Sequence, residues 1–118
     1  MNIGETGIKG ENKVCRYLMM RGYKILDRNF QCRFGEIDII AKKKEYIVFV
    51  EVKTRNVSSK GLPREYVDYY KQQRIIKTAQ VYLAFHPGEL QPRFDVAEVW
   101  NNKNRLEVNY IKSAFDAS

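Results

Sequence analysis

Two apolar runs decide the fold of this chain: GEIDII at residues 35–40 and YIVFVEVK at residues 46–53, with the polar turn KKKE at residues 42–45 between them. Runs this apolar are typical of β-strands that are buried on both faces of a sheet. Asp38, Glu51 and Lys53 lie inside the runs, where a charge is costly unless it is paired or binds a metal ion. The runs therefore predict a hairpin with a cluster of charges that must be compensated.

The length of the loop decides whether these charges meet. Side chains alternate between faces along a strand, so Glu51 and Lys53 share the face of Phe49. A loop of two or four residues places Asp38 opposite Glu51 or Phe49, on that same face. A loop with an odd number of residues would place Asp38 on the other face. We expect an even loop and a convergence of Asp38, Glu51 and Lys53.

The rest of the chain predicts one α/β domain over residues 1–118, because 118 residues suffice for a single core. Helices are expected from about Thr6 to Arg21, ended by Gly22, and from about Pro63 to Ala84. Further strands are expected over residues 23–31, 93–100 and 105–111. The order α-β-β-β-α-β-β predicts a mixed central sheet flanked by helices.

Each predicted helix carries a charge within its apolar stripe. Glu11 lies in the stripe of the first helix, where it either reaches water at a helix end or belongs to a polar site beneath the helix. Lys71 lies in the stripe of the second helix, with Arg74 at its edge. Taken alone, Lys71 would be explained as a lysine whose stem covers apolar surface.

Composition favours some partners over others. The net charge of +7 favours an anionic partner, nucleic acid before an anionic membrane surface. The first residues lack the apolar segment of a signal peptide, and no apolar run approaches the roughly 20 residues of a membrane span. Cys15 and Cys32 have no C-x-x-C spacing and His86 is the only histidine. These features argue against a zinc site and for a reducing cytoplasm.

Two carboxylates on adjacent strands followed by a lysine suit metal-dependent cleavage of phosphodiester bonds. Mg²⁺ prefers oxygen ligands and is typically held by one or two carboxylates plus a substrate phosphate. The expected ligands are Asp38, Glu51 and the backbone carbonyl of Val52, and Mn²⁺ is an expected substitute for Mg²⁺. Lys53 is placed to orient or deprotonate the attacking water and to offset charge in the transition state. Glu11 is a further catalytic candidate.

Basic side chains are the expected contacts with nucleic acid. Lys71 and Arg74 are candidates for holding phosphates, and Arg55, Lys60 and Arg64 for following the nucleic-acid backbone. The alternative for the acidic cluster is an internal ion pair in which Lys53 neutralises Glu51 or Asp38. Two acids and one lysine would leave a negative charge unpaired.

Several motifs resemble the YraN family of small bacterial proteins: GEIDIIA at 35–41, FVEVKTR at 49–55, GE at 10–11, RGYKIL at 21–26 with RN at 28–29, and RFD at 93–95. The resemblance covers nearly the whole chain and implies the restriction-endonuclease-like PD-(D/E)xK fold, similar to archaeal Holliday-junction resolvases. It implies that Asp38, Glu51 and Lys53 form a catalytic core around Mg²⁺, often joined by the acid that Glu11 matches. The motif PD-(D/E)xK has a proline directly before its first aspartate, whereas this chain has Ile37 before Asp38.

The leading hypothesis from the sequence is a Mg²⁺-dependent DNA endonuclease of the cytoplasm, with branched or damaged DNA as one candidate substrate. The runner-up is a non-catalytic nucleic-acid-binding module of the same fold that acts with partner proteins. A purely structural adaptor leaves the acids within the strands unexplained. Because enzymes that cut junctions often act as symmetric dimers, a homodimer is expected by analogy.

Overall fold

The computed structural model of the protein describes residues 3–56, 67–103 and 105–117, and for residues 3–6 and 56 it describes the backbone alone. The elements are α1 (Ile3–Met20), β1 (Lys24–Cys32), β2 (Gly35–Lys43), β3 (Tyr46–Asn56), α2 (Tyr69–Phe85), β4 (Gln91–Asn102) and β5 (Arg105–Phe115). This order confirms the α-β-β-β-α-β-β order predicted from the sequence.

The five strands form one mixed sheet in the order β1-β2-β3-β4-β5. Neighbouring strands are antiparallel except β3 and β4, which are parallel. A parallel pair needs a long crossover, and α2 lies in the segment of chain that links β3 to β4. The predicted mixed sheet flanked by helices is therefore confirmed.

Each helix covers one face of the sheet. Val14 and Leu18 of α1 pack in one apolar cluster with Val48 and Val50 of β3. The opposite cluster joins residues of α2 to the other face, and it contains Ile40, Phe49, Ile75, Ala79, Tyr82 and Phe94. Strands β2 and β3 are therefore buried from both sides, which explains why their sequences are continuous apolar runs.

The hairpin between β2 and β3 has a loop of two residues, Lys44 and Glu45. Its backbone pairing runs from Lys43–Tyr46 to Ile39–Val50. An even loop is the condition under which Asp38 and Glu51 share a face, so the structure meets the condition set by the sequence.

Helix α1 ends as predicted, at a glycine. Gly22 has a φ of 87°, in the left-handed region that glycine adopts without strain. The amide of Gly22 donates to the carbonyl of Met19 at 3.1 Å, and that of Tyr23 to the carbonyl of Leu18 at 3.0 Å. These two bonds are those of a Schellman motif, which satisfies carbonyl groups at the end of the helix.

Helix α2 begins later than predicted. Val67 and Asp68 are not helical, and Asp68 is the N-cap, whose carboxylate accepts the amide of Lys71 at 2.8 Å. A helix that runs unbroken from about Pro63 is therefore wrong, and Pro63 itself lies outside the described residues. The aspartate satisfies an amide that would otherwise lack a partner in the first turn, so it is the stronger start signal.

Neither of the two helices, over the residues described, is long and apolar enough to cross a membrane. Both cysteines are free thiols, with Cys15 buried and Cys32 half-buried.

Candidate active site

Strands β2 and β3 bring the two predicted carboxyl groups together. One oxygen of Asp38, Oδ2, accepts the backbone amide of Val52 at 2.8 Å, just beyond the last backbone pair, Ile39–Val50. The negative charge of Glu51, on the neighbouring strand, acts on the carboxyl group of Asp38. The hairpin thus builds a pair of carboxyl groups from residues thirteen positions apart in the sequence, since 51 − 38 = 13.

Burial makes this pair hard to ionise completely. It raises the pKa of Asp38 to about 7, and the negative charges of Glu51, Glu11 and Glu36 act in the same direction. The amide of Val52 lowers that pKa. Burial also raises the pKa of Glu51, which is only 8 % exposed. Because the charge of Glu51 acts on Asp38, ionisation of one group makes ionisation of the other less favourable.

Two lysines act on Glu51 from different elements. The Nζ atom of Lys71, on α2, lies 3.5 Å from Oε1 of Glu51. The positive charges of Lys71 and Lys53 both lower the pKa of Glu51, and Lys71 has the larger effect. Lys53 lies two residues further along β3. Lys71 was predicted to hold a phosphate, and the structure places its ammonium group against a carboxylate. The formal charges of two acids and two lysines balance, which the sequence prediction with a single lysine did not foresee.

Glu11 lies near the same site but belongs to α1, the helix on the face of the sheet opposite to α2. Its Oε1 lies 3.6 Å from Nη2 of Arg28 on β1, and its charge helps to raise the pKa of Asp38. Across the described ranges, no group of three or more Asp, Glu, His or Cys side chains is arranged to hold a metal ion. Asp38 and Glu51, the two side chains predicted to bind a metal ion, lie close enough for the charge of Glu51 to act on Asp38, and Glu11 is held nearby by Arg28.

The other predicted contacts with nucleic acid fall in different places. The Nε of Arg55 donates to Oε2 of Glu98 at 3.0 Å, and its side chain is only 15 % exposed. Arg74 is exposed on α2. Lys60 and Arg64 lie outside the described residues, and their roles stay predictions.

Sequence reasoning missed a buried polar cluster on β4. Asp95 is fully buried and receives two-point hydrogen bonding from Arg93, together with the hydroxyl of Tyr110 at 2.6 Å and the amide of Ser113 at 2.9 Å. Arg93 also donates to the hydroxyl of Tyr23 at 2.8 Å. The signal was available, because Arg93 and Asp95 are two residues apart on one strand and so share a face. The arginine that holds Glu11, Arg28, gave no comparable signal.

Comparison with known proteins gives the chain a family. A model of the family described as "Uncharacterised protein family UPF0102" matches residues 10–99. The chain belongs to this family. The match confirms the resemblance to YraN proteins, which are the UPF0102 family.

Relatives in UPF0102 match along their whole length. The "UPF0102 protein TTE1452" of Caldanaerobacter subterraneus is 50% identical over 119 residues, which cover 98% of each chain. A UPF0102 protein of Caldicellulosiruptor bescii is 47% identical and covers 98% of this chain and 100% of its own. A solved structure titled "Crystal structure of SSO0001" has a TM-score of 0.37 and 18% identity. The match covers 93% of this chain but about half, 52%, of that one, and nothing below rests on it.

Proposed function

We propose that this UPF0102 protein is a metal-dependent endonuclease that hydrolyses phosphodiester bonds in DNA. The observation that carries the proposal is the pair of carboxyl groups of Asp38 and Glu51 on adjacent strands, close enough for the charge of Glu51 to raise the pKa of Asp38, with Asp38 fixed by the amide of Val52 and Lys53 beside the pair. Carboxyl groups whose pKa values are raised by burial or by a neighbouring charge are typical of functional sites. The PD-(D/E)xK resemblance supports the same chemistry.

The donor set fits a hard divalent cation such as Mg²⁺ or Mn²⁺. Two neighbouring carboxyl groups offer oxygen ligands, and a bound cation would offset the negative charge that they gain on ionisation. Asp38, Glu51 and the carbonyl of Val52 would hold the ion. When bound, the ion would polarise the phosphate and make water a stronger nucleophile.

The chain's own residues would position the reacting groups. The amide of Val52 fixes the carboxylate of Asp38, and Lys71 fixes that of Glu51. Lys53, as an ammonium group, would orient the attacking water, whose proton would pass to solvent, and would offset negative charge that develops on the phosphate. Glu11, held by Arg28, would be a further carboxylate close to the ion.

Binding of the substrate would draw on the net charge of +7. Arg74 is exposed next to the site-bearing turn of α2, and Lys71 would exchange Glu51 for a phosphate when DNA is present. Arg55, Lys60 and Arg64 remain proposed contacts with the DNA backbone. Branched or damaged DNA is one candidate substrate, in the cytoplasm, and two symmetric cuts would require a homodimer.

The test is incubation of the purified protein with linear, nicked and four-way-junction DNA in Mg²⁺ and in Mn²⁺. We expect cleavage by the natural protein, and we expect Asp38→Asn and Lys53→Ala each to abolish cleavage while DNA binding is retained. The matched control is Asp116→Asn, at an exposed position near the end of the chain. Cleavage that survives both Asp38→Asn and Lys53→Ala would contradict the assigned site.

A second candidate function follows from the balance of charge at the site. Because Lys53 and Lys71 together offset Asp38 and Glu51, the cluster could be stable without metal in a nucleic-acid-binding module that acts with partner proteins. That candidate predicts DNA binding with a steep salt dependence and no cut in any of the three DNAs with either metal. This outcome would contradict the proposed endonuclease activity.

A further inference from the structure

A basic cavity lies far from the carboxyl pair. It has a volume of about 280 Å³ and is lined by three tyrosines and three basic residues: Tyr17, Arg21, Tyr23, Lys43, Tyr110 and Lys112. Lys43 and Asp38 are five positions apart on β2, since 43 − 38 = 5. At about 3.3 Å per residue, their backbones are roughly 17 Å apart. The cavity is thus separate from the proposed catalytic site and does not depend on it.

Aromatic rings contact two of the three cations of the cavity, Arg21 and Lys43. The guanidinium carbon of Arg21 lies 3.5 Å from the centre of the Tyr17 ring, and Nζ of Lys43 lies 5.2 Å from the centre of the Tyr23 ring. The ring of Tyr17 in turn stacks on that of Tyr110, with centres 5.5 Å apart. Rings that hold cations in this way reduce the side-chain freedom that a ligand would otherwise have to restrict.

The floor of the cavity is fixed by the buried cluster on β4. The hydroxyl of Tyr110 donates to Asp95, and the hydroxyl of Tyr23 accepts from Arg93. The carboxylate of Asp95 is itself paired with Arg93 at 2.8 Å, so the cluster beneath the cavity contributes no net negative charge.

The carbonyl groups at the C-terminal end of α1, which would repel an anion if they were free, have hydrogen-bond donors. Arg21 donates from Nη1 to the carbonyl of Tyr17 at 3.2 Å, and the carbonyls of Leu18 and Met19 accept backbone amides. These bonds satisfy carbonyl groups whose negative ends would otherwise face the ligand.

From these observations we infer that the cavity binds a phosphate monoester, either the terminal phosphate of a nucleic-acid strand or that of a free mononucleotide. Its lining has three cations and no acid among the residues that the structure describes. A terminal phosphate carries about two negative charges at neutral pH, whereas an internal diester carries one. Arginine offers a fork of N–H donors that suits phosphate, and the two lysines add point charges. The size suits a small ligand, just below the range for drug-sized molecules.

The test compares two oligonucleotides of one sequence, with and without a 5′ phosphate, labelled at the 3′ end and titrated in EDTA while fluorescence anisotropy is recorded. We expect binding of the phosphorylated strand to be tighter by roughly tenfold, the scale of one or two hydrogen bonds to a charged group. Arg21→Ala and Lys112→Ala should each remove most of that difference. Lys77→Ala, which removes one exposed charge on α2, should lower affinity for both strands alike and keep the difference.

Competition separates the two sources of the phosphate. If a 5′ mononucleotide displaces the phosphorylated strand and Arg21→Ala abolishes its binding, the ligand is a free nucleotide. If the mononucleotide does not compete, the ligand is the end of a strand. Equal affinity for the two strands, or a difference that survives both Arg21→Ala and Lys112→Ala, would overturn the inference. Neither result bears on cleavage, because EDTA removes the metal that cleavage requires.

Discussion

Asp38 is subject to two opposing influences. Burial and the charges of Glu51, Glu11 and Glu36 disfavour its ionised form, whereas the amide of Val52 favours it. The balance raises the pKa of Asp38 to about 7, well above the ordinary value of 3.8. A carboxyl group poised near neutral pH can lose its proton to a cation without a large penalty, which is what a metal ligand in a buried site needs.

The raised pKa predicts that Asp38→Asn stabilises the metal-free protein at high pH. In the unfolded chain Asp38 ionises near pH 4, and in the folded chain only near pH 7, so the folded state binds more protons between these values. Stability of the natural protein therefore falls as pH rises through that window. The variant lacks this loss, and at pH 8 it should be more stable by up to about 4 kcal/mol.

Urea unfolding in EDTA at pH 5 and at pH 8 measures the effect. The gain of Asp38→Asn should be smaller at pH 5 than at pH 8. The control Asp116→Asn, at an exposed carboxylate, should show no such change between the two pH values. A gain that is the same at both pH values would contradict the assigned pKa.

The affinity for a metal ion should rise with pH as Asp38 loses its proton. We expect Mn²⁺ to raise the melting temperature of the natural protein, since a ligand at 100 times its Kd adds about 2.7 kcal/mol of stability. The rise should shrink below pH 7, because protons then compete for Asp38 and Glu51. Differential scanning fluorimetry with Asp38→Asn and Glu51→Gln provides the measurement. If Mn²⁺ raised the melting temperature of both variants as much as that of the natural protein, the metal would bind elsewhere.

At the scale of elements, the start of α2 decides where Lys71 stands. Asp68 caps the helix by accepting the amide of Lys71, and the side chain of Lys71 then reaches Glu51 on the face of the sheet that α2 covers. One aspartate thus sets the helix boundary and the position of a charge at the candidate site.

Loss of this cap should be measurable. Asp68→Ala should lower the free energy of unfolding by about 1 kcal/mol, because an amide in the first turn loses its acceptor. Asp68→Ser keeps an acceptor oxygen and should restore most of that loss. Urea unfolding checks both, with Asp116→Ala as the control for removal of an exposed carboxylate. A serine variant as unstable as the alanine variant would show that the cap is not the cause.

The hairpin could be predicted from the sequence, whereas the surroundings of its charges could not. Alternation along β2 and β3 and an even loop were enough to place Asp38 and Glu51 together, because both rules act over a few residues. The pairing of Lys71 with Glu51 depends on a helix that returns from elsewhere in the chain. The bond between Arg55 and Glu98 joins two strands whose parallel register no local pattern encodes.

At the scale of the whole molecule, the buried cluster around Asp95 ties distant segments together. Through Arg93, Tyr110 and Ser113 it joins β4 to β5, and through Tyr23 it reaches the segment that follows α1. Every buried side-chain nitrogen and oxygen among the described residues has a hydrogen-bond partner. A cluster satisfied this completely specifies one arrangement of the sheet edge.

Removal of one member should therefore be costly. Asp95→Ala leaves the buried charge of Arg93 without its carboxylate and should cost about 3–5 kcal/mol, a large part of the 5–15 kcal/mol typical of a domain. Glu107→Ala, at an exposed position of β5, should change stability by no more than about 0.5 kcal/mol. Thermal or urea unfolding decides the matter, and a loss below 1 kcal/mol for Asp95→Ala would contradict the role of the cluster.

The loop of Lys44 and Glu45 constrains how members of this family can vary in length. One inserted residue would preserve both apolar runs but turn Asp38 away from Glu51, unless a bulge elsewhere in the hairpin restored the register. Length changes between the two runs should therefore occur in steps of two wherever the carboxyl pair is kept. Among relatives, an odd change in this loop would mark the chains in which the pair has been lost.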